Sequence, residues 1–175
     1  MQRAIVPTLA LSLLTALAAQ DESPPPKTDP LQTLAAALAR AKVHNKRVLA
    51  CFVEQGQDLA LQCRRSKALG RPLLYEFEVV QFEGVDADAM ATELKFDDAF
   101  KQRPALMVLA ADRTRLLRQT AADLLVDGEL QAQRLLEQLK PQYCPPVDAE
   151  QKLTAALVEA KKTGRNVFIR FDAPW

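Results

Sequence analysis

At 175 residues, with 49% hydrophobic and 26% charged side chains, the chain carries enough apolar material for one ordinary core, which excludes the disordered and fibrous classes. A formal net charge of +1 gives no electrostatic case for nucleic acid or an anionic membrane as partner. Three cysteines and a solitary histidine, His44, show no metal-ligand spacing, so neither metal nor cofactor is expected.

In chain order, MQRAIVPTLALSLLTALAAQ has one positive charge at Arg3, an apolar run to Leu17 and a small-residue end. Residues 1–18 read as a signal peptide cleaved after Ala18, because the run is interrupted by Pro7, Thr8, Ser12 and Thr15 and falls short of the roughly 20 apolar residues of a membrane span. The expectation is a secreted or periplasmic protein with no membrane insertion after cleavage. No cysteine follows the cleavage point to carry a lipid anchor. Residues 19–30, with three successive prolines from Pro24 to Pro26, form an extended linker.

A domain is expected over 31–140. Leu31, Leu34, Leu38 and Ala41 recur at helical spacing, and VLACFV, Val48 to Val53, has the length and continuous apolarity of a central strand. Asp58 is placed to cap a helix running to Leu69, which Gly70 and Pro72 would end. Phe77 to Phe82 reads as a strand and Ala87 to Leu94 as a short helix. Pro104 to Ala110 and Arg115 to Ala121 read as two strands joined by a polar turn, and Gly128 to Leu139 reads as a closing helix. Alternation of helix and strand followed by a hairpin predicts an α/β fold with a mixed sheet covered on both faces.

After a linker at 141–147, the pattern restarts. Asp148 to Trp175 aligns without a gap onto Asp29 to Gly56 at an offset of 119 residues, with identities at Asp29, Gln32, Leu34, Ala36, Ala37, Leu38, Ala41, Lys42, Val48 and Phe52. The spacing predicts the start of a second domain over 148–175, a helix and then an apolar strand through Val167, Phe168, Ile169 and Phe171. Such a strand must dock on the first domain, pair with another chain or aggregate.

A helix ending in AKKTGR, the run VFIRF and then Asp-Ala-Pro-Trp, Asp172 to Trp175, resemble the opening of a thioredoxin-like domain, where that strand leads into Trp-Cys-x-x-Cys. Leu31 to Leu139 resembles the same family over its whole length. The resemblance implies a three-layer α/β/α sandwich, followed here by the incomplete helix-strand repeat. It also implies that Pro104 is the family's cis proline, placed with Arg103 on the substrate-binding loop. Trp175 stands just before the position of the attacking cysteine.

The chemistry departs from the family. No Cys-x-x-Cys occurs in the chain. An ungapped count puts Gln57 at the first cysteine position, whereas a three-residue insertion puts Ala60 there and Cys63 at the second. A single thiol cannot complete dithiol exchange, in which one cysteine attacks and another resolves the mixed disulfide. Two readings of Cys63 stand: a degenerate catalytic cysteine, its pKa lowered by a helix start and by Arg64 and Arg65, or a half-buried helix cysteine. Cys51 reads as a small core residue at the place where many thioredoxins carry a buried acid. Cys144, in the proline-rich connector, is left as a partner for Cys63 or for another chain.

Two functions are therefore expected. One is an exported thioredoxin-like binding or partner module, inactive as a dithiol enzyme, whose partners are protein thiols or disulfides. The other is a thiol-disulfide oxidoreductase whose Cys-x-x-Cys, or selenocysteine counterpart, lies beyond Trp175.

Overall fold

The computed structural model describes residues 29–169. The expected signal peptide at 1–18, the expected linker up to residue 28 and the final stretch with Phe171 and Trp175 lie outside the described residues.

Helix α1, Pro30–His44, begins where Asp29 accepts a hydrogen bond from the Leu31 N–H and ends at Asn45, whose left-handed backbone returns an N–H to the Ala41 carbonyl. Its apolar stripe of Leu34, Ala37, Leu38 and Ala41 is buried. Strand β1, Arg47–Val53, is buried from Val48 onward. Its alternate side chains supply both cores: Val48, Ala50 and Phe52 face α1, while Leu49, Cys51 and Val53 face the opposite layer.

The helix expected from Asp58 to Leu69 is two helices, α2, Leu59–Arg65, and α3, Gly70–Glu76. Ser66 takes an extended backbone and stops α2, and Gly70 opens α3 rather than closing its predecessor. A Cβ on Gly70 would sit 2.7 Å from the Arg64 carbonyl oxygen, so the close approach of the two helices requires glycine there. Pro72 is tolerated in the first turn, where its missing N–H has no helical partner to lose.

Strand β2, Phe77–Glu83, runs parallel to β1, and α4, Gly84–Glu93, leads through a 3₁₀ turn, Asp97–Phe100, to β3, Ala105–Leu109. β3 and β4, Arg115–Gln119, complete a sheet of order β2-β1-β3-β4, in which β3 is antiparallel to both its neighbours. The expected second strand of this hairpin is shorter than Ala121 because Thr120 and Asp123 form a capping box that starts α5, Ala121–Leu124.

The expected helix from Gly128 is likewise shortened. β5, Leu125–Val126, and β6, Glu129–Leu130, form a small hairpin, and α6 spans only Ala132–Leu139. The reason is local: Asp127 and Gly128 both have positive φ, 52° and 80°, as a two-residue Asp-Gly hairpin turn demands.

α1 and α4 cover one face of the sheet, and α2, α3 and α6 cover the other. This is the expected mixed α/β three-layer arrangement. On the α1 side Phe52 anchors an aromatic cluster, its ring centroid 5.6 Å from Phe96 edge to face and 6.0 Å from Phe82. Such pairs contribute about 0.5–1.5 kcal/mol each beyond burial.

Helix α7, Ala149–Thr163, follows the connector and has no buried residue. The strand expected after it does not form within the described residues: Val167 to Ile169 have no regular structure, with Phe168 89% and Ile169 52% exposed. An isolated extended segment lacks the ladder partner that defines a strand.

Candidate functional site

The C-terminal ends of β1 and β2, the start of α2 and the start of β3 converge at one end of the sheet. The Arg103–Pro104 peptide bond is cis. Pro104 borders a hollow of about 140 Å³ whose walls include Val53, Gln57, Leu59, Gln62, Leu125 and Gly128. No sulfur atom lines it.

The loop entering α2 is held by hydrogen bonds from β2. Gln81 Oε1 accepts from the Ala60 N–H at 3.0 Å, while its Nε2 donates to the Gln57 carbonyl at 3.0 Å and to Glu83 Oε1 at 3.0 Å. The second Glu83 oxygen accepts from Gln55 Nε2 and the Gly56 N–H at 3.3 and 3.4 Å. Asp58 caps α2 by accepting from the Leu61 N–H at 2.8 Å. Gln57 and Ala60, the two alternatives for the first cysteine position, therefore both contribute backbone groups to this network.

Cys63 does not reach the hollow. Ala60 and Cys63 lie three residues apart on one helical face, and that face is turned onto the sheet, leaving them 7% and 1% exposed. Of the two readings of Cys63, the one with a lowered pKa does not hold: burial pushes the thiol up to about 11. Cys63 lies in the fifth position of α2 rather than at its start, and Arg64 and Arg65 are exposed on the other side. Desolvation, which disfavours the thiolate, therefore wins. Cys51 is fully buried in β1 between Gln81 and Leu106, and burial, followed by the nearby Cys63, raises its pKa further. Cys51, Cys63 and half-buried Cys144 are all free thiols, so no bridge joins Cys63 to Cys144.

Arg103 has its guanidinium turned inward, 6% exposed. It donates to the Ala99 carbonyl at 3.0 Å and pairs with Asp88 and, at 3.5 Å, with Glu54. These bonds tie α4, the end of β1 and the proline loop together, leaving the proline rather than the arginine as the surface of the hollow. Exposed His44 is the last residue of α1. Trp175 lies outside the described residues. Among the described residues no three His, Cys, Asp or Glu side chains converge as a metal site requires, and no helix is long and apolar enough to cross a membrane.

The structure sets Pro104, expected as a cis proline, beside the hollow, together with Leu125 and Gly128, which sequence reasoning missed. The signal for them was present in Asp127-Gly128, a hairpin turn that helical periodicity concealed. Gln81 and Glu83 carried no signal, since their role depends on the parallel register of β2 beside β1.

No family model matches the chain, and no curated protein matches it in sequence. Solved structures do match in three dimensions. A disulphide isomerase from Xylella fastidiosa Temecula1 superposes with a TM-score of 0.51 at 19% identity, covering 67% of this chain and 93% of that one. A thioredoxin from Thermus thermophilus gives 0.43 at 19% identity over 60% and 82% of the two chains. The C-terminal domain of Neisseria meningitidis DsbD in its oxidised form gives 0.44 at 14% identity over 65% and 96%. The fold is thioredoxin-like.

Proposed function

We propose that this protein is an exported thioredoxin-like binding module without dithiol redox activity, engaging partner proteins through the hollow beside Pro104. The observation that carries this reading is the chemistry of the hollow. It offers apolar side chains, amides and a proline, but no thiol, while Cys63 is buried one turn further along α2 with its pKa raised to about 11. A thiol in that state is protonated at neutral pH and shielded from a partner disulfide, so Cys63 supplies neither the attacking nor the resolving step of exchange. The hollow can still receive one side chain of an extended segment of a thiol or disulfide protein lying along Pro104. Export rests on the leader-like residues 1–18.

An insulin-reduction assay with dithiothreitol tests the reading. Turbidity is expected to develop at the rate of dithiothreitol alone. Turnover well above that rate would contradict it.

A second reading keeps the chemistry and assigns it to a second domain. In support, α7 repeats α1 at the offset of 119: both are 15 residues long and begin at an aspartate cap, Asp29 or Asp148. Both end in a left-handed residue, Asn45 or Gly164, that bonds back to Ala41 or Ala160. On this reading a Cys-x-x-Cys, or a selenocysteine in the attacking position, follows Trp175. The codon after that of Trp175 tests it. UGA or a cysteine codon, followed in frame by x-x-Cys, is expected, and UAA or UAG overturns it.

A further inference from the structure

A groove distinct from the Pro104 hollow lies at the opposite end of the sheet. β2 is a terminal strand: its inner side pairs with β1, and no hydrogen bond among the described residues joins its outer side to another strand. Along the first half of that open edge runs a groove of about 540 Å³. It is bordered by Arg40 from the α1 layer and by Arg64 and Leu74 from the α2–α3 layer, so it straddles the sheet edge between the two helical faces. The register Arg47↔Phe77 places it at the start of β1, whereas the Pro104 hollow sits at the end.

The lining is ordered by the two-residue period of β2. Glu78 points to the α1 side, where Arg40 and Lys46 hold it at 3.1 and 3.6 Å, two cations answering one carboxylate. Val79 points to the other side, half-buried beside Leu74, which is 63% exposed. Arg64 stands there without a carboxylate partner among the described residues. The groove therefore offers open backbone groups, an apolar shelf and a surplus of positive charge.

We infer that this edge docks an extended acidic peptide of a partner protein, which adds to β2 as a further strand. Alternate side chains of such a peptide meet the two layers: carboxylates on the α1 side reach Arg40 and Lys46, and apolar groups on the other side rest on Leu74 and Val79. Charge complementarity selects this occupant over a second copy of the chain, because edge-to-edge pairing of two β2 strands would set the same cations against each other.

The probe is a fluorescein-labelled seven-residue peptide alternating valine and glutamate, titrated with the full chain and read by fluorescence anisotropy. Saturable binding is expected. It should weaken at least tenfold in the Arg40→Glu chain, and to a similar extent when alternate peptide nitrogens are methylated so that the ladder cannot form. Absence of saturable binding, equal affinity for a valine-lysine peptide, or indifference to N-methylation would overturn the inference. So would a concentration-dependent dimer in sedimentation equilibrium that the peptide fails to dissociate.

Discussion

Cys63 and Arg103 have opposite electrostatic situations within a few residues of the same hollow. The thiol avoids charge: its burial raises the pKa from an ordinary value near 9 to about 11, so the folded state holds the proton more tightly than the unfolded chain does. Stability is then fully retained below about pH 9 and is lost as pH rises towards 11, by about 2–3 kcal/mol from this one group. Cys51 is shifted in the same direction and adds to the loss. Urea midpoints measured at pH 8 and pH 10.5 should show this fall, with a shallower one for Cys63→Ala; a flat wild-type profile would contradict the burial argument. In native protein a thiol-specific disulfide reagent should titrate Cys144 promptly and the other two cysteines only on unfolding.

Arg103 keeps its charge and is paired. Its partners Asp88 and Glu54 have side chains about half exposed, at 48% and 58%, so they regain water when the guanidinium is removed. Arg103→Met is therefore expected to cost about 1–3 kcal/mol, less than the loss of one member of a fully buried ion pair. Chemical denaturation gives the value, and a change within 0.5 kcal/mol of zero would mean that the tie between α4 and the proline loop carries no stability.

Among the elements, α1 and α7 make a natural comparison, because related local sequences meet two environments. Both helices have the same length and the same capping pattern. Leu34 is fully buried against the sheet, whereas its counterpart 119 residues on, Leu153, is 37% exposed. Leu34→Ala should cost about 2–5 kcal/mol, the range for emptying a packed core position. Leu153→Ala should change stability by no more than about 0.5 kcal/mol. Equal costs measured by denaturant unfolding would show that α7 packs on a surface of its own. Capping and periodicity explain why both segments are helical, but neither determines which one finds a sheet.

For the whole molecule, the two cores share β1 and β3 as their common wall, so opening either exposes the central sheet. Among the described residues α7 contributes no buried residue and is supported by its own hydrogen bonds and caps. A 15-residue helix without a packing partner is marginal in water. Hydrogen exchange should therefore reach amides of Ala149–Thr163 within seconds to minutes at neutral pH, while those of β1 and β3 exchange only through opening of the whole fold. Slow exchange in α7 would indicate a covered face.

The sequence by itself determined what depends on neighbours along the chain. Helical spacing in α1, the continuous apolar run of β1, the Asp58 cap and the offset repeat were all legible there, because short-range geometry fixes them. The resemblance supplied the layer order. Tertiary structure decided the rest. It split the second helix where Ser66 turns extended, and it brings α3 back so close that Gly70 has no room for a side chain beside the Arg64 carbonyl. It turned Cys63 onto the sheet and so raised a pKa that two adjacent arginines had suggested would fall. It buried the Arg103 guanidinium, drew Leu125 and Gly128 to Pro104, and left an open, positively lined edge on β2. The burial of Cys63 and of Arg103 and the open edge of β2 depend on which groups approach across long stretches of chain and on how much water they exclude, and no local pattern encodes that.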